Sequence, residues 1–209
     1  MKVGLIKERL YDDMTEPETR EAVAKAASVL GELGATVEEV SLPLTSCAAL
    51  LTAIPLMMEP ASNYGQCVRD RLGDFGHNNR IGLLTGSVVP AQAYYKAQEL
   101  RTLARQEVHQ ALERYDVLVT PTSGTTALPI QDDPIITSKE NALGLPYLYT
   151  RIFNLASAPA ISVPCGFDSR GLPIGLQIGG RPDVEETILK LAHAYEQNTP
   201  WHTMRPPTA

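Results

Sequence analysis

The sequence predicts an α/β fold on three observations: strand-like and helix-like patterns alternate along the whole chain, no internal repeat or low-complexity tract interrupts them, and no linker divides the 209 residues. A chain of this length buries a core without disulfide or metal staples. It is expected to form a single α/β domain over residues 1–209.

The elements follow in order. KVGLI at the start is a short β-branched and apolar run. Thr15, Glu16, Pro17 and Glu18 then offer an N-cap, a proline in the first turn and a capping-box acid. Ala22, Ala26, Val29 and Leu33 recur at helical spacing, Gly34 stops the helix, and TVEEVSL begins a second strand. Residues 45–65 read as an apolar, buried helix interrupted near Pro55 and Pro60. Between Gly65 and Gly86 the chain turns polar and glycine-punctuated, with Arg69, Asp70, Arg71, Asp74, His77, Asn78, Asn79 and Arg80 crowded together, and reads as a loop region suited to function.

After Pro90 a long helix runs to about Tyr115, its apolar face made by Ala93, Ala97, Leu100, Ala104, Val108 and Ala111. It feeds into DVLVT, an uninterrupted apolar run that reads as a buried strand. Residues 120–146, rich in proline, glycine and hydroxyls, form an irregular connection long enough to line a pocket. A short helical stretch around Tyr147 to Leu155 precedes the strand AISVP, a turn at Asp168 to Gly171 and the strand PIGLQIGG. A final helix opens at Asp183 with Glu186 as capping-box acid and buries Val184, Ile188, Leu191 and Tyr195.

Charge and cysteine usage narrow the function classes. With 18 basic against 24 acidic residues, a net charge of -6 and no basic run, direct nucleic-acid readout is not expected. Cys47, Cys67 and Cys165 are odd in number and widely separated, which fits neither a disulfide framework nor a zinc site and makes the reducing cytoplasm the default. The apolar stretch Val3 to Ile6 is too short for a signal-peptide core. The run Ala48 to Met58, broken by Thr52 and Pro55, falls short of the roughly 20 apolar residues a bilayer requires, so no membrane partner is expected.

A search for a reaction centre returns pocket-lining candidates only. The chain has no G-x-S-x-G elbow, no adjacent serines and no S-x-x-K. Phosphate-binding glycine loops are absent, and His77, His109, His193 and His202 form no ligand pair, so neither a nucleotide cofactor nor a metal is expected. Cys165, at the end of a strand in VPCG, is the one candidate thiolate, but no partner histidine is identifiable and a small apolar core residue is the simpler reading.

Three stretches carry a resemblance: KVGLIKE at 2–8, RYDVLVTPTSGTTA at 114–127, and RIFNLASAPAISVPCGFDSRGLPIGLQIGGRPDVEETILKLAHAYEQNT at 151–199. With the YYKAQELR helix at 94–101, they make the chain similar to the C-terminal half of the amidase-signature hydrolases, a group that includes general amidases and the A subunit of glutamyl-tRNA amidotransferase. The resemblance implies a mixed sheet flanked by helices and hydrolysis of carbon–nitrogen amide bonds by a serine, with a second serine and a lysine relaying the proton. It places those catalytic groups in a glycine- and serine-rich segment that these 209 residues do not contain. The chain is thus expected to supply the substrate-side wall of the cleft and to be inactive alone.

The resemblance also assigns binding roles. Arg80, in NNRIGLLTG, matches the arginine that holds a substrate carboxylate in the amidotransferase subunit, a task suited to a guanidinium fork. That subunit carries an amine-binding acid seven residues before the asparagine of its NLA motif, a position occupied here by Tyr147. A tyrosine cannot neutralise an ammonium, which favours a general amidase. Thr122, Thr125 and Thr126 match a family loop near the cleft, although hydroxyl-rich loops also serve turn geometry, while Asn154 and Cys165 read as structural. The expected partners are a small amide, carboxylate-bearing if Arg80 takes its role, and a second protein surface. Half of a mixed sheet exposes a strand edge and an apolar face, to be covered by self-association or by an N-terminal companion chain. The competing readings are a non-catalytic truncated module that binds a ligand or another chain and, implied by the same resemblance, a fragment of the amidotransferase A subunit, against which Tyr147 speaks.

Overall fold

Five strands form one mixed sheet, in the spatial order β2 (Thr36–Val40), β1 (Lys2–Ile6), β3 (Val117–Pro121), β5 (Pro173–Gly180) and β4 (Ala160–Phe167). The computed structural model describes residues 1–129 and 148–205. Strands β1, β2 and β3 are mutually parallel, and β5 runs antiparallel between β3 and β4. The parallel part is wound through α2 (Pro17–Glu32), which connects β1 to β2. The antiparallel part is a hairpin through the tight turn at Asp168 to Gly171, where Gly171 takes φ 79.

Alternation along the strands assigns side chains to two cores. On one face Val3, Leu5, Val117, Val119, Val163, Leu176 and Ile178 pack under α2 and α8 (Glu185–Gln197), which contribute Val23, Leu30, Ile188 and Tyr195. On the other, Ile6, Val40 and Leu118 pack under α3 (Ala48–Asn63), α6 (Ala91–Arg114) and α7 (Arg151–Ala156). Two glycines of β5 lie on this second face. A Cβ at Gly179 would fall 2.1 Å from the Phe153 ring, so glycine lets α7 sit directly on the sheet.

Several local expectations change. The apolar helix α3 is continuous through Pro55 and Pro60, and of its residues only Ala48, Leu51, Ala53 and Ala61 are buried. Each proline removes one backbone hydrogen bond but packing against α6, α7 and the helix His77–Val88 carries the helix through. With the preceding 3-10 turn it makes an apolar stretch, Pro43–Asn63, that by length and composition alone is sufficient to cross a membrane, which the broken run did not suggest. The glycine-punctuated region folds as α4 (Gly65–Asp70), a 3-10 turn (Leu72–Asp74) and α5 (His77–Val88) rather than as a loop. A Cβ at Gly86 would lie 2.0 Å from the Met57 carbonyl oxygen, so that glycine serves a helix crossing and not a turn. A short helix, α1 (Lys7–Leu10), follows β1, and no side-chain cap opens α2. The Thr15 hydroxyl instead donates to the Arg9 carbonyl at 2.7 Å and lies 2.7 Å from the Tyr149 hydroxyl. Nor does a capping box open α8: Asp183 adopts a left-handed φ of 64 and Val184 is the N-cap.

Candidate functional site

The second face of the sheet is covered over β1 and β3, and α7 covers Gly179, but among the described residues no helix covers the corner where β5 meets β4. A groove of about 580 Å³ lies there. Small and polar residues make its floor because alternation places Ser162, Pro164 and Gly175 on this face while Val163, Ile174 and Leu176 point into the opposite core.

The loop that follows β3 supplies the groove's hydroxyls. The Thr122 N–H donates to the Gly175 carbonyl at 2.9 Å, and the Thr122 carbonyl accepts the Tyr149 N–H at 3.1 Å, so the loop continues the sheet for one residue. Thr122 Oγ1 then lies 2.6 Å from Ser162 Oγ, a pair exposed to the groove. A Cβ at position 175 would fall 2.7 Å from the first oxygen and 2.9 Å from the second. Glycine there makes room for the pair. Ser123 and Thr125 line the same groove, with Thr125 Oγ1 itself buried and without a hydrogen-bond partner among the described residues. Such hydroxyls can donate to a carbonyl and accept from an amide N–H.

Thr126 is held differently. Its hydroxyl donates to Asp168 Oδ2 at 2.7 Å, and Arg170 Nη2 donates to it at 2.6 Å. Asp168, whose side chain is 1% exposed, also accepts from the N–H groups of Arg170 and Leu172. Burial of the carboxyl opposes ionisation, but these donors outweigh it and bring its pKa down to about 2. Tyr149 is a second fastening point: it is buried, its ring lies 4.9 Å from the Arg9 guanidinium, and burial pushes its hydroxyl pKa up.

Of the residues selected from sequence, Thr122 and Thr125 meet in this groove, with Thr126 at its rim. Arg80 stands on α5, half-buried, with its Nε donating to the Phe75 carbonyl at 2.7 Å, and it lines neither the groove nor the hollow of about 370 Å³ between α3 and α5. Tyr147 lies outside the described residues. Asn154 is exposed on α7, its carbonyl accepting the Ser157 N–H at 3.2 Å. Cys165 is buried in the first core, and burial drives its thiol pKa up to about 12, the opposite of an activated nucleophile. Sequence reasoning missed Ser162, Gly175, Asp168 and Tyr149. The alternation of AISVP against PIGLQIGG is the signal that would have exposed the first two.

Comparison with known proteins agrees on one family. The amidase family model matches residues 1–189. The A subunit of glutamyl-tRNA(Gln) amidotransferase from Thermodesulfovibrio yellowstonii is 37% identical over 99% of this chain and 46% of that subunit, and the one from Picosynechococcus is 36% identical over 99% and 47%. The chain spans about half the length of the curated relatives it matches. Among solved structures, the A subunit from Thermotoga maritima superimposes with a TM-score of 0.75 at 32% identity, over 96% of this chain and 43% of that one. A bacterial aryl acylamidase of the amidase-signature family gives 0.81 at 22% identity, over 98% and 46%, a likeness of fold.

Proposed function

The chain belongs to the amidase family, and from that premise we propose that it supplies the substrate-side wall of a cleft for amide hydrolysis, completed by a segment that carries the nucleophilic serine. The observation that carries this reading is the β5–β4 corner, which no described helix covers: a hydroxyl-lined groove beside an edge strand with no charged side chain. Apolar walls and a few convergent hydroxyls suit a small amide, held by its carbonyl and N–H. The uncharged edge suits strand pairing with the catalytic segment, in a companion chain or a second copy.

The test uses a serine-directed fluorophosphonate. The purified chain should remain unlabelled and hydrolyse no amide, and labelling should appear when a polypeptide bearing the family's serine-rich segment is added. Strong labelling with amide turnover by these 209 residues alone would overturn the reading.

A second reading is favoured by the identity of 37% with an amidotransferase A subunit, namely that the chain serves a glutamine-using amidotransferase. In that case Arg80 holds a carboxylate. Its replacement by alanine should then weaken carboxylate-bearing amides more than neutral ones in the completed enzyme, and equal loss for both would remove the clamp.

A further inference from the structure

Asp168 bears none of the groove's hydroxyls, yet one wall of the groove depends on it. The loop from Thr122 to Leu128 is fixed at its start by the Thr122 N–H on the Gly175 carbonyl, and again at Gly124, whose carbonyl accepts the Glu16 N–H at 2.8 Å. Beyond Gly124, among the described residues, the hydrogen bonds that tie the loop to the rest of the protein converge on the Thr126 hydroxyl. The Thr125 N–H turns back onto Ser123 Oγ at 3.3 Å, inside the loop. Asp168 is itself fixed from the other side. Its Oδ1 accepts the N–H groups of Arg170 at 2.9 Å and Leu172 at 2.8 Å, and its Oδ2 accepts Arg170 Nε at 3.0 Å as well as Thr126.

We infer that Asp168 is a positioning residue of the groove, acting through Thr126 to set the stretch of loop that bears Thr125, Ala127 and Leu128. The inference rests on the groove being the substrate-side wall. An ionised carboxylate suits the task, because its two oxygens hold the turn and the loop at once through charge-assisted hydrogen bonds. Because the carboxyl is buried, water does not compete for those oxygens. The hairpin turn thereby sets the shape of a wall to which, beyond Gly124 and among the described residues, the loop's own backbone adds no tie.

Hydrogen exchange read by mass spectrometry on the purified chain tests this. Asp168→Asn and Thr126→Val should each speed exchange of peptides over residues 124–128 about tenfold, the scale of one charge-assisted hydrogen bond lost, and leave α2 and β1 unchanged. Thr126→Ser keeps the hydroxyl and should restore the slow rate. Unchanged loop exchange, or equal acceleration in α2 and β1, overturns the positioning role. Benzamide binding, followed by saturation-transfer NMR, separates the two layers. A Kd about tenfold weaker in both variants with rescue by Thr126→Ser supports the assignment, and an unchanged Kd in both variants overturns it. Binding is read with the serine-bearing polypeptide added; no binding to that completed wild-type protein defeats the substrate-wall reading, and exchange then decides the role of Asp168 alone.

Discussion

The two halves of the sheet are built to different rules. The parallel half, β2-β1-β3, is packed on both faces and ends at an edge strand that carries Glu38 and Glu39, one for each face, with Tyr115 and Tyr11 donating to them at 3.2 and 2.5 Å. The antiparallel half, β5-β4, is packed along one face; among the described residues α7 covers only the Gly179 end of the other, whose remainder shows small and polar residues, and the half ends at a strand whose eight residues include no charge. Charged edges discourage strand addition. The difference teaches that, among the described residues, β2 is a charge-guarded edge and β4 an unguarded one, and that the groove lies beside the unguarded edge.

The largest expected contrast is in packing. Leu118→Ala, at a fully buried position in the parallel half, should cost about 3–5 kcal/mol, whereas Ile161→Ala, half-buried on β4, should cost about 1–2 kcal/mol. Urea unfolding measures both, and equal losses would erase the distinction. A smaller effect is expected at the edges. Ala160→Lys on β4 should weaken association of the chain about tenfold, or about 1.4 kcal/mol, while Thr36→Lys on β2 should leave it unchanged. Sedimentation velocity across a concentration series reads both, and a stable wild-type monomer would remove the premise.

The smallest effect is confined to acid. Asp168 is the single buried acid among the described residues and belongs to the antiparallel half. Its folded pKa, about 2, is depressed below the ordinary 3.8, so its contribution is present above pH 4 and is lost as pH falls toward 2. Asp168→Asn should therefore flatten the fall of stability between those limits. A wild-type slope retained by the variant would place the acid sensitivity elsewhere.

The two halves also differed in how well the sequence announced them. β1, α2 and β2 could be read as elements because Pro17 and Gly34 mark the helix ends as they do in the structure, but the buried face of α2 is Val23, Ala26, Ala27 and Leu30 and the expected Leu33 is exposed. The hairpin was legible as two strands and a turn. Its register was not, since the irregularity between Pro164 and Gly166 shifts the pairing by one residue, and only the true register sets Ser162 and Gly175 beside Thr122. Helix α5 was hidden because Gly82 and Gly86 look like punctuation, and the reason for Gly86 is a helix crossing that local pattern does not encode. Thr126 stood out as a hydroxyl in a loop, but its partner Asp168 is 42 residues away and is found only through the fold.

The burial of Cys165 has a practical consequence. Cys47 and Cys67 are exposed free thiols, whereas Cys165 is enclosed in the core under α2 and α8 with its ionisation suppressed. A thiol-reactive dye should therefore consume two equivalents at once and a third only when that core opens. The chain thus carries an intrinsic clock for the loosening of β4, and the delay of the third equivalent, with and without a partner, would report how far docking quiets the unguarded edge of the sheet.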